Sequence, residues 1–248
     1  MTIPEATDLD GAAEAISAAG VVVWRGFLPQ ALVERCRDAC RAAWPAALDD
    51  AEGWRTRYRT GPDGPVVDRI DPIRHFAPEV AEAVDHPDVL ALAAVGCGGA
   101  AVAYKDKYIE KRPGTGGYGL HQDLPYAHLD VGAEALSQVF IPLGEFSRRN
   151  GATEVAPGVH TELLTPPGEV ADPPEGAVAD ELLEPLELEP GDVALLHFLL
   201  PHRSPANESD EPRPLLAGSY VRATVEGAWD RYYDVYRRRS LGDSVRFR

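Results

Sequence analysis

The spacing of apolar residues predicts helices in the first hundred residues. Ala12–Ala19 has the pattern of a short helix, and the β-branched and aromatic run Val21–Phe27 predicts a strand directly after it. Apolar side chains recur at helical spacing from residue 30 to about residue 43. Pro78–Val95 is also predicted to be helical, with an interruption at residues 85–88. The N-terminal part therefore supplies mostly helices.

From residue 101 onward the spacing of apolar residues changes to the pattern of β-strands. The predicted strands are Val102–Lys111, Ser137–Leu143, Thr153–Ala156, Val193–Leu200 and Leu215–Val225. Helices followed by short strands with Gly/Pro turns predict one α+β, mainly β domain over residues 1–248. We expect a double-stranded β-helix, or jelly-roll, core flanked by the N-terminal helices.

Two segments fall outside this pattern. Trp54–Phe76 is predicted to be irregular, although three of its arginines alternate as on a strand face. Thr161–Asp192 holds ten acids and six prolines but no Lys or Arg, which is typical of a solvated surface excursion. Both segments are candidates for a lid.

The charge balance argues against several classes of partner. The chain has 40 Asp+Glu against 24 Lys+Arg, a formal net charge of −16. Nucleic-acid binding depends on cations that meet phosphates, and an anionic membrane surface repels an acidic protein, so we expect neither partner. The start of the chain does not resemble a signal peptide, and no apolar run could cross a bilayer, so the sequence predicts a cytoplasmic protein. Only three cations are lysines (Lys105, Lys107 and Lys111), which we attribute to a GC-rich coding sequence.

Three His-x-Asp copies are candidates for half of a metal site. On a strand, residues i and i+2 point to the same side, and two histidines with one carboxylate hold iron in non-haem oxygenases. The copy at 86–88 contains a proline where a helix restarts, and the copy at 128–130 has no distinctive flank. His121-Gln122-Asp123 directly follows the glycine-rich loop Pro113–Gly119, which makes it the strongest candidate of the three.

The second half of the predicted site lies eighty residues later. His202 ends a buried strand, and a hairpin turn at Ala206–Asp210 would place it opposite Arg213, about 5 Å away. A dicarboxylate chelating a metal at His202 could then place its far carboxylate on the guanidinium fork of Arg213. Ser204 shares a strand face with His202 and could donate a further hydrogen bond. His197 is a rival ligand, but no arginine lies at the matching offset.

These motifs resemble the phytanoyl-CoA dioxygenase family, a branch of the Fe(II)/2-oxoglutarate oxygenases. The resemblance runs through most of the chain and rests on the segments AAGVVVWRGFLPQALVERC, LHQDLPY, NGATEVAPGVH and GDVALLHFLLPHRSPANESDEPR. It implies His121, Asp123 and His202 as iron ligands, and Arg213 with Ser204 as the residues that hold the C5 carboxylate of 2-oxoglutarate. Tyr104 and Tyr108, which share a face of a regular strand, are further candidates for contacts to this co-substrate.

The same resemblance implies an oxidoreductase that uses Fe(II), 2-oxoglutarate and O2 to hydroxylate a C–H bond of a small molecule, and it suggests bacterial specialised metabolism as the setting. Desaturation, cyclisation or epimerisation at the same site stays open, as does a non-catalytic ligand-binding descendant. The arginines of Trp54–Phe76 suggest that the substrate is anionic. Our candidates for its binding are Arg69, Arg74 and, on a later strand, Arg222.

Overall fold

Two antiparallel β-sheets form the body of the protein in a computed structural model that describes residues 2–61, 64–166 and 171–242. The helices are α1 Leu9–Ala19, α2 Gln30–Leu48, α3 Ala81–Val84, α4 Pro87–Cys97 and α5 Ala228–Gly242. The strands are β1 Val21–Trp24, β2 Thr56–Gly61, β3 Gly64–Ile70, β4 Ala101–Lys111, β5 Tyr118–His121, β6 Leu136–Pro142, β7 Glu154–Val155, β8 Glu184–Pro185, β9 Val193–His197, β10 His202–Ser204 and β11 Arg213–Arg222. The predicted mainly β architecture with N-terminal helices is confirmed.

The larger sheet has the strand order β1-β9-β6-β11-β4-β3-β2, and the smaller sheet has the order β5-β10-β7-β8. Alternating side chains give the larger sheet two different faces. Leu195 and Leu216 pack with the helices, whereas Leu196 and Leu215 pack with the smaller sheet. Each such aliphatic side chain removed from water contributes about 1.5–3 kcal/mol. Because side chains alternate between the two faces of the larger sheet, the protein has two hydrophobic cores, one under the helices and one between the sheets.

Helix α4 begins within the predicted interruption at residues 85–88 and ends at Cys97, two residues beyond the predicted Val95. The ring of His86 accepts a hydrogen bond from the Asp88 backbone N–H at 3.3 Å and so caps the N-terminus of this helix. Gly98 ends it in the left-handed region, at φ 63°, where a residue without Cβ is favoured. The His-x-Asp copy at 86–88 is thus a helix cap.

The prediction that Trp54–Phe76 is irregular is wrong over most of its length. Strands β2 and β3 form a hairpin that extends the larger sheet by pairing with β4. The register shift opposite Arg57 and Tyr58 makes Asp68 an extra residue in β3, and this bulge obscured the strand period of β3 in the sequence. The segment therefore belongs to the larger sheet.

The C-terminal segment, for which the sequence indicated no role, forms helix α5. Its tyrosines Tyr232, Tyr233 and Tyr236 are buried together with Trp54 and Tyr104. This aromatic cluster covers one end of the space between the sheets. Within the described residues, no helix is long and apolar enough to cross a membrane.

Candidate metal and co-substrate site

His121, Asp123 and His202 come together between the sheets. His121 and His202 are register partners on β5 and β10, with ring centroids 4.1 Å apart. His202 Nε2 lies 3.9 Å from Asp123 Oδ2, and one ligand atom from each of the three residues lies within 4.8 Å of the others. Two imidazoles and one carboxylate are the donor set of the non-haem iron facial triad. The sequence-predicted triad is therefore assembled.

Backbone carbonyls fix the tautomer of both histidines. His121 Nδ1 lies 2.8 Å from Gly119 O, and His202 Nδ1 lies 3.0 Å from Leu200 O. Because a carbonyl oxygen can only accept, each Nδ1 carries the proton and donates it, which leaves the Nε2 lone pair free for a metal. Each ring is thus oriented by the carbonyl of the residue two positions before it.

Charges around the triad favour its metal-binding protonation states. Burial and the neighbouring His202 lower the pKa of His121 to about 3, so this imidazole is neutral near pH 7. Burial alone would raise the pKa of Asp123, but His202 and Lys107 outweigh it and lower that pKa to about 2. The cluster therefore offers neutral nitrogen and an ionised oxygen, as a divalent cation requires.

The residue between His121 and Asp123 locks this segment in place. The Gln122 amide donates to Leu199 O at 2.6 Å and to Glu162 O at 2.8 Å, and its carbonyl accepts from Leu164 N at 2.7 Å. Gln122 is 1% exposed, so each of these bonds compensates a polar atom that has no access to water. The Gln122 side chain thus ties the metal-ligand loop to the chain that leads to His202.

Glycine allows β10 to approach the loop that precedes β5. A Cβ built on Gly117 would lie 1.8 Å from the Ser204 carbonyl oxygen, a contact that only a backbone shift could relieve. The predicted glycine-rich loop therefore has a packing role: it lets the two strands that carry the histidines lie side by side.

Arg213 lies in the same interior but not where the hairpin register predicts it. It pairs with Lys111 on β4, whereas His202 pairs with His121 and with Val155 of the smaller sheet. The predicted His202–Arg213 register is wrong because the chain crosses from the smaller to the larger sheet between these residues. Asn207 holds this crossing by donating from its amide to Lys111 O and to Glu211 O, both at 2.8 Å.

The guanidinium of Arg213 is buried without an acidic partner. The residue is 1% exposed, its Nε and Nη1 have no hydrogen-bond partner among the described residues, and its guanidinium lies over the Phe146 ring at 4.2 Å. Burial lowers the pKa of Arg213 to about 10. An unpaired guanidinium is costly in such surroundings, and a bound carboxylate would supply the missing acceptors.

Lys111, which the sequence analysis did not single out, stands beside Arg213. Its Nζ donates to Gly151 O at 3.0 Å, to Ser204 Oγ and to Pro205 O. Burial and the charge of Arg213 lower the pKa of Lys111 to about 6. The Ser204 hydroxyl donates its own proton to Gly151 O at 2.9 Å, so it supports Lys111 and has no second proton for a carboxylate.

The two tyrosines predicted to share a strand face lie on opposite faces. A register shift between Ser219 and Tyr220 makes Tyr104 an extra residue in β4. Tyr104 consequently packs against Tyr232 of α5, with ring centroids 5.6 Å apart. Tyr108 packs into the core under the helices, where its hydroxyl donates to Glu110 at 2.7 Å. The bulge leaves Tyr104 near the site and removes Tyr108 from it.

The three arginines predicted to bind substrate are dispersed. Arg69 lies on the inner face beside Ile109, and its Nε has no partner among the described residues. Arg74 pairs with Asp106 and Asp85 on the helix-covered side, stacked on Trp229. Arg222 donates to the carbonyls of Cys97 and Glu134, at 2.9 and 3.0 Å, and so holds the end of α4. Of these three, the structure brings Arg69 alone toward the space between the sheets.

The other histidines that competed as ligands lie outside the triad. His128, in the third His-x-Asp copy, has a φ of 54° and stacks on Tyr232 at 5.6 Å between centroids. His197 accepts a hydrogen bond from Leu199 N at Nδ1, at 3.2 Å, and its ring lies 5.2 Å from that of His160. Neither histidine takes part in the described cluster of metal-ligating side chains.

We expect His197 to make folding sensitive to mild acid. Burial, with a contribution from His160, lowers the pKa of His197 to about 4, against a weaker opposing effect of Glu134. Since the unfolded chain takes up the proton near pH 6.5, the free energy of unfolding falls as the pH decreases from 6.5 toward 4. In urea titrations across this range, His197→Asn should give a shallower decline than the wild type, and the exposed-site control His75→Asn should not. An unchanged slope in His197→Asn would contradict this assignment.

The spacing of the three lysines in the sequence is a signal of the cationic lining on β4. Lys105, Lys107 and Lys111 are separated by even numbers of residues, and on a strand even spacing places side chains on one face. All three are buried on β4, and the charges of Lys105 and Lys107 act on Asp123. The attribution of these lysines to coding bias was therefore wrong in effect: they share the face of β4 that points into the site.

Comparisons with known proteins agree with this geometry. The family model described as phytanoyl-CoA dioxygenase matches residues 16–215. A methylphosphonate hydroxylase from Gimesia maris is 29% identical over 222 residues, covering 87% of this chain and 81% of that protein. A 2-aminoethylphosphonate dioxygenase from an uncultured bacterium is 27% identical over 214 residues, covering 82% of this chain and 78% of that protein.

A solved structure supports the fold. The crystal structure of EctD from S. alaskensis with 2-oxoglutarate and 5-hydroxyectoine superposes with a TM-score of 0.72 at 22% identity, over 86% of this chain and 75% of that chain. At this identity the likeness concerns the fold. The family match confirms the predicted enzyme class, a dioxygenase that depends on Fe(II) and 2-oxoglutarate. With 200 consecutive residues matched and the His121–Asp123–His202 cluster assembled between its sheets, the chain belongs to the phytanoyl-CoA dioxygenase family.

Proposed function

We propose that this protein hydroxylates a C–H bond of a small anionic molecule, and that its two sheets form a double-stranded β-helix around the site. His121, Asp123 and His202 would hold Fe(II), and Arg213 would bind the C5 carboxylate of 2-oxoglutarate. The observation that carries the proposal is the buried Arg213 guanidinium, whose Nε and Nη1 have no partner in the described chain. Such a group is in place to receive a carboxylate.

The residues present fit both the metal and the co-substrate. When bound, iron and 2-oxoglutarate would together activate O2, which supplies the oxidising equivalents for the C–H bond. The carbonyls of Gly119 and Leu200 keep the Nε2 atoms of the two histidines directed inward. Burial and the charge of Arg213 lower the pKa of Lys111 to about 6, and a bound dicarboxylate would favour its protonated form, so the pair suits a dicarboxylate better than a neutral ligand. The apolar residues between the sheets limit the access of water to the site.

Two observations support an anionic substrate. The inner face of β4 carries Lys105 and Lys107, which form no ion pair with any described residue. Two curated relatives are named for their action on phosphonates, which are small anions. Hydroxylation is the reaction in the name of the first relative, and we take it as the leading candidate here.

The test begins with the co-substrate and proceeds to products. Anaerobic addition of Fe(II) and 2-oxoglutarate to the wild type should produce a visible charge-transfer band. In air, succinate release should rise with a small organic anion from a panel of phosphonates, carboxylates and amino acids. Mass spectrometry with ¹⁸O₂ then separates the reactions: hydroxylation adds one labelled oxygen, whereas desaturation, cyclisation and epimerisation add none. A wild type that gives no band would contradict every oxygenase assignment, including this one.

A further inference from the structure

A row of polar side chains crosses the inner face of the larger sheet next to the metal ligands. Gln138 on β6 pairs with Ser219 on β11, and Ser219 pairs with Lys105 on β4. Along β6 and β11 the inner-face neighbours are apolar (Leu136, Phe140, Ala217 and Val221), whereas the next inner-face residue of β4 is Lys107. Polar groups at these interior positions need an explanation.

The side-chain amide of Gln138 has a buried hydrogen-bond donor without an acceptor among the described residues. The residue is 1% exposed, and its Oε1 accepts a hydrogen bond from Ser219 Oγ at 3.2 Å. Its Nε2 is buried and has no hydrogen-bond partner in the described part of the chain. A buried amide donor without an acceptor is destabilising, so this group indicates a ligand atom that accepts a hydrogen bond.

Two lysines add unpaired positive charge beside this donor. Lys105 and Lys107 are 9% and 8% exposed, and neither makes a hydrogen bond or ion pair with another described residue. The Lys105 ammonium lies 4.8 Å from the centre of the Tyr232 ring, which directs it inward under α5. Burial and the charge of Lys107 lower the pKa of Lys105 to about 7, although Asp71 and Asp123 act on it in the opposite direction from beyond ion-pair distance. A bound anion would stabilise both ammonium groups.

The strand register separates this row from the co-substrate end of the site. Arg213 and Ser219 are six residues apart on β11, which corresponds to about 20 Å. Between them lies Ala217, which pairs with Phe140 and Lys107, and the Phe140 ring is 6.5 Å from that of His202. The metal ligands therefore stand between Arg213 and the row of Gln138, Ser219 and Lys105, and one five-carbon acid at Arg213 cannot reach that row. Lys107 lies on the row between, beside the metal ligands.

We propose that Gln138, Lys105 and Lys107 bind the head group of the primary substrate, and that this head group is a phosphonate. The inference rests on the proposed function, because it takes the Arg213 end as the 2-oxoglutarate site. Three donors, two of them cationic, match the three oxygens and the double charge of a phosphonate better than the two oxygens of a carboxylate. Ser219 fixes the Gln138 amide so that its Nε2 faces the ligand.

Methylphosphonate is the probe for the test. It is titrated into the anaerobic complex of the protein with Fe(II) and 2-oxoglutarate, and its binding is followed by the change in the charge-transfer band. We expect Gln138→Leu, Gln138→Glu and Lys105→Met each to raise the Kd for methylphosphonate at least tenfold. Gln138→Glu should have the largest effect because it conserves volume and adds a charge that repels the anion. The Kd for 2-oxoglutarate should stay within twofold of the wild-type value in all three.

Matched controls are exposed residues of the same type or charge. Gln30→Leu on α2 and Arg149→Met on the surface should leave both dissociation constants unchanged. Unchanged methylphosphonate affinity in the Gln138 and Lys105 variants would overturn the proposal, as would an equal loss of 2-oxoglutarate affinity. A wild type that binds 2-oxoglutarate but responds to acetate and not to methylphosphonate or 2-aminoethylphosphonate would overturn the phosphonate class alone. Absence of the band with 2-oxoglutarate would instead refute the proposed function.

Discussion

Replacement of His202 by alanine is expected to abolish Fe(II)-dependent succinate formation. His202 contributes one of three ligand atoms that lie within 4.8 Å of one another, and its Nδ1 is already held by Leu200 O. Losing an outer partner of a metal ligand typically weakens metal binding 10- to 100-fold, so losing the ligand itself should weaken it by roughly 100-fold or more. The measurement is anaerobic Fe(II) titration in the presence of 2-oxoglutarate, with the charge-transfer band as the signal.

The matched control for this prediction is His75→Ala, which removes an exposed histidine. Circular dichroism of both variants verifies that the sheets are intact, because His202 pairs on both sides within the smaller sheet. Wild-type affinity for Fe(II) in a folded His202→Ala protein would show that the described cluster is not the metal site.

Replacement of Arg213 by leucine is expected to act in opposite directions on binding and on stability. Breaking a buried, hydrogen-bonded charge pair costs about 3–5 kcal/mol, so the Kd for 2-oxoglutarate should rise roughly 150- to 4,000-fold. The protein without co-substrate should be at least as stable as the wild type, because leucine removes a guanidinium whose Nε and Nη1 are buried without partners among the described residues. Leucine also keeps an apolar contact with Phe146.

Two measurements check this prediction. Titration of the charge-transfer band reports the Kd for 2-oxoglutarate, and urea unfolding of the ligand-free protein reports the free energy of unfolding. Arg149→Leu, at a side chain that is 71% exposed, is the control for both. A large loss of stability together with unchanged 2-oxoglutarate affinity would assign Arg213 a purely structural role.

The position of Arg213 shows how far sequence reasoning extends. The offset between His202 and Arg213 pointed to this arginine, but the hairpin that justified the offset does not form. The chain changes sheets instead, with Asn207 bound to Lys111 O and Glu211 O at the crossing. Two hydrogen bonds from one asparagine side chain produce no periodic arrangement of residues in the sequence. The strand register that they fix could therefore not be predicted.

Bulges explain two further differences between sequence and structure. The shift at Ser219/Tyr220 turns Tyr108 away from the site, and the shift at Arg57/Tyr58 concealed the hairpin of β2 and β3. Each bulge adds one residue, and because the side-chain period of a strand is two, a single extra residue exchanges the faces. Side-chain direction beyond a bulge therefore depends on pairing that involves distant strands.

The sequence by itself determined the family, the helices and strands outside the β2–β3 hairpin and α5 in broad order, and the residue types of the triad, because these depend on local periodicity and on motifs read along the chain. It did not decide among three His-x-Asp copies on spacing alone. Only the tertiary structure brought His121 beside His202, made His86 a helix cap and stacked His128 on Tyr232. The polar row of Gln138, Ser219 and Lys105 likewise exists only across three strands. The physical reason is that ligand sets and charge neighbours are formed by strand pairing between distant segments, whereas periodicity reports the environment of each segment separately.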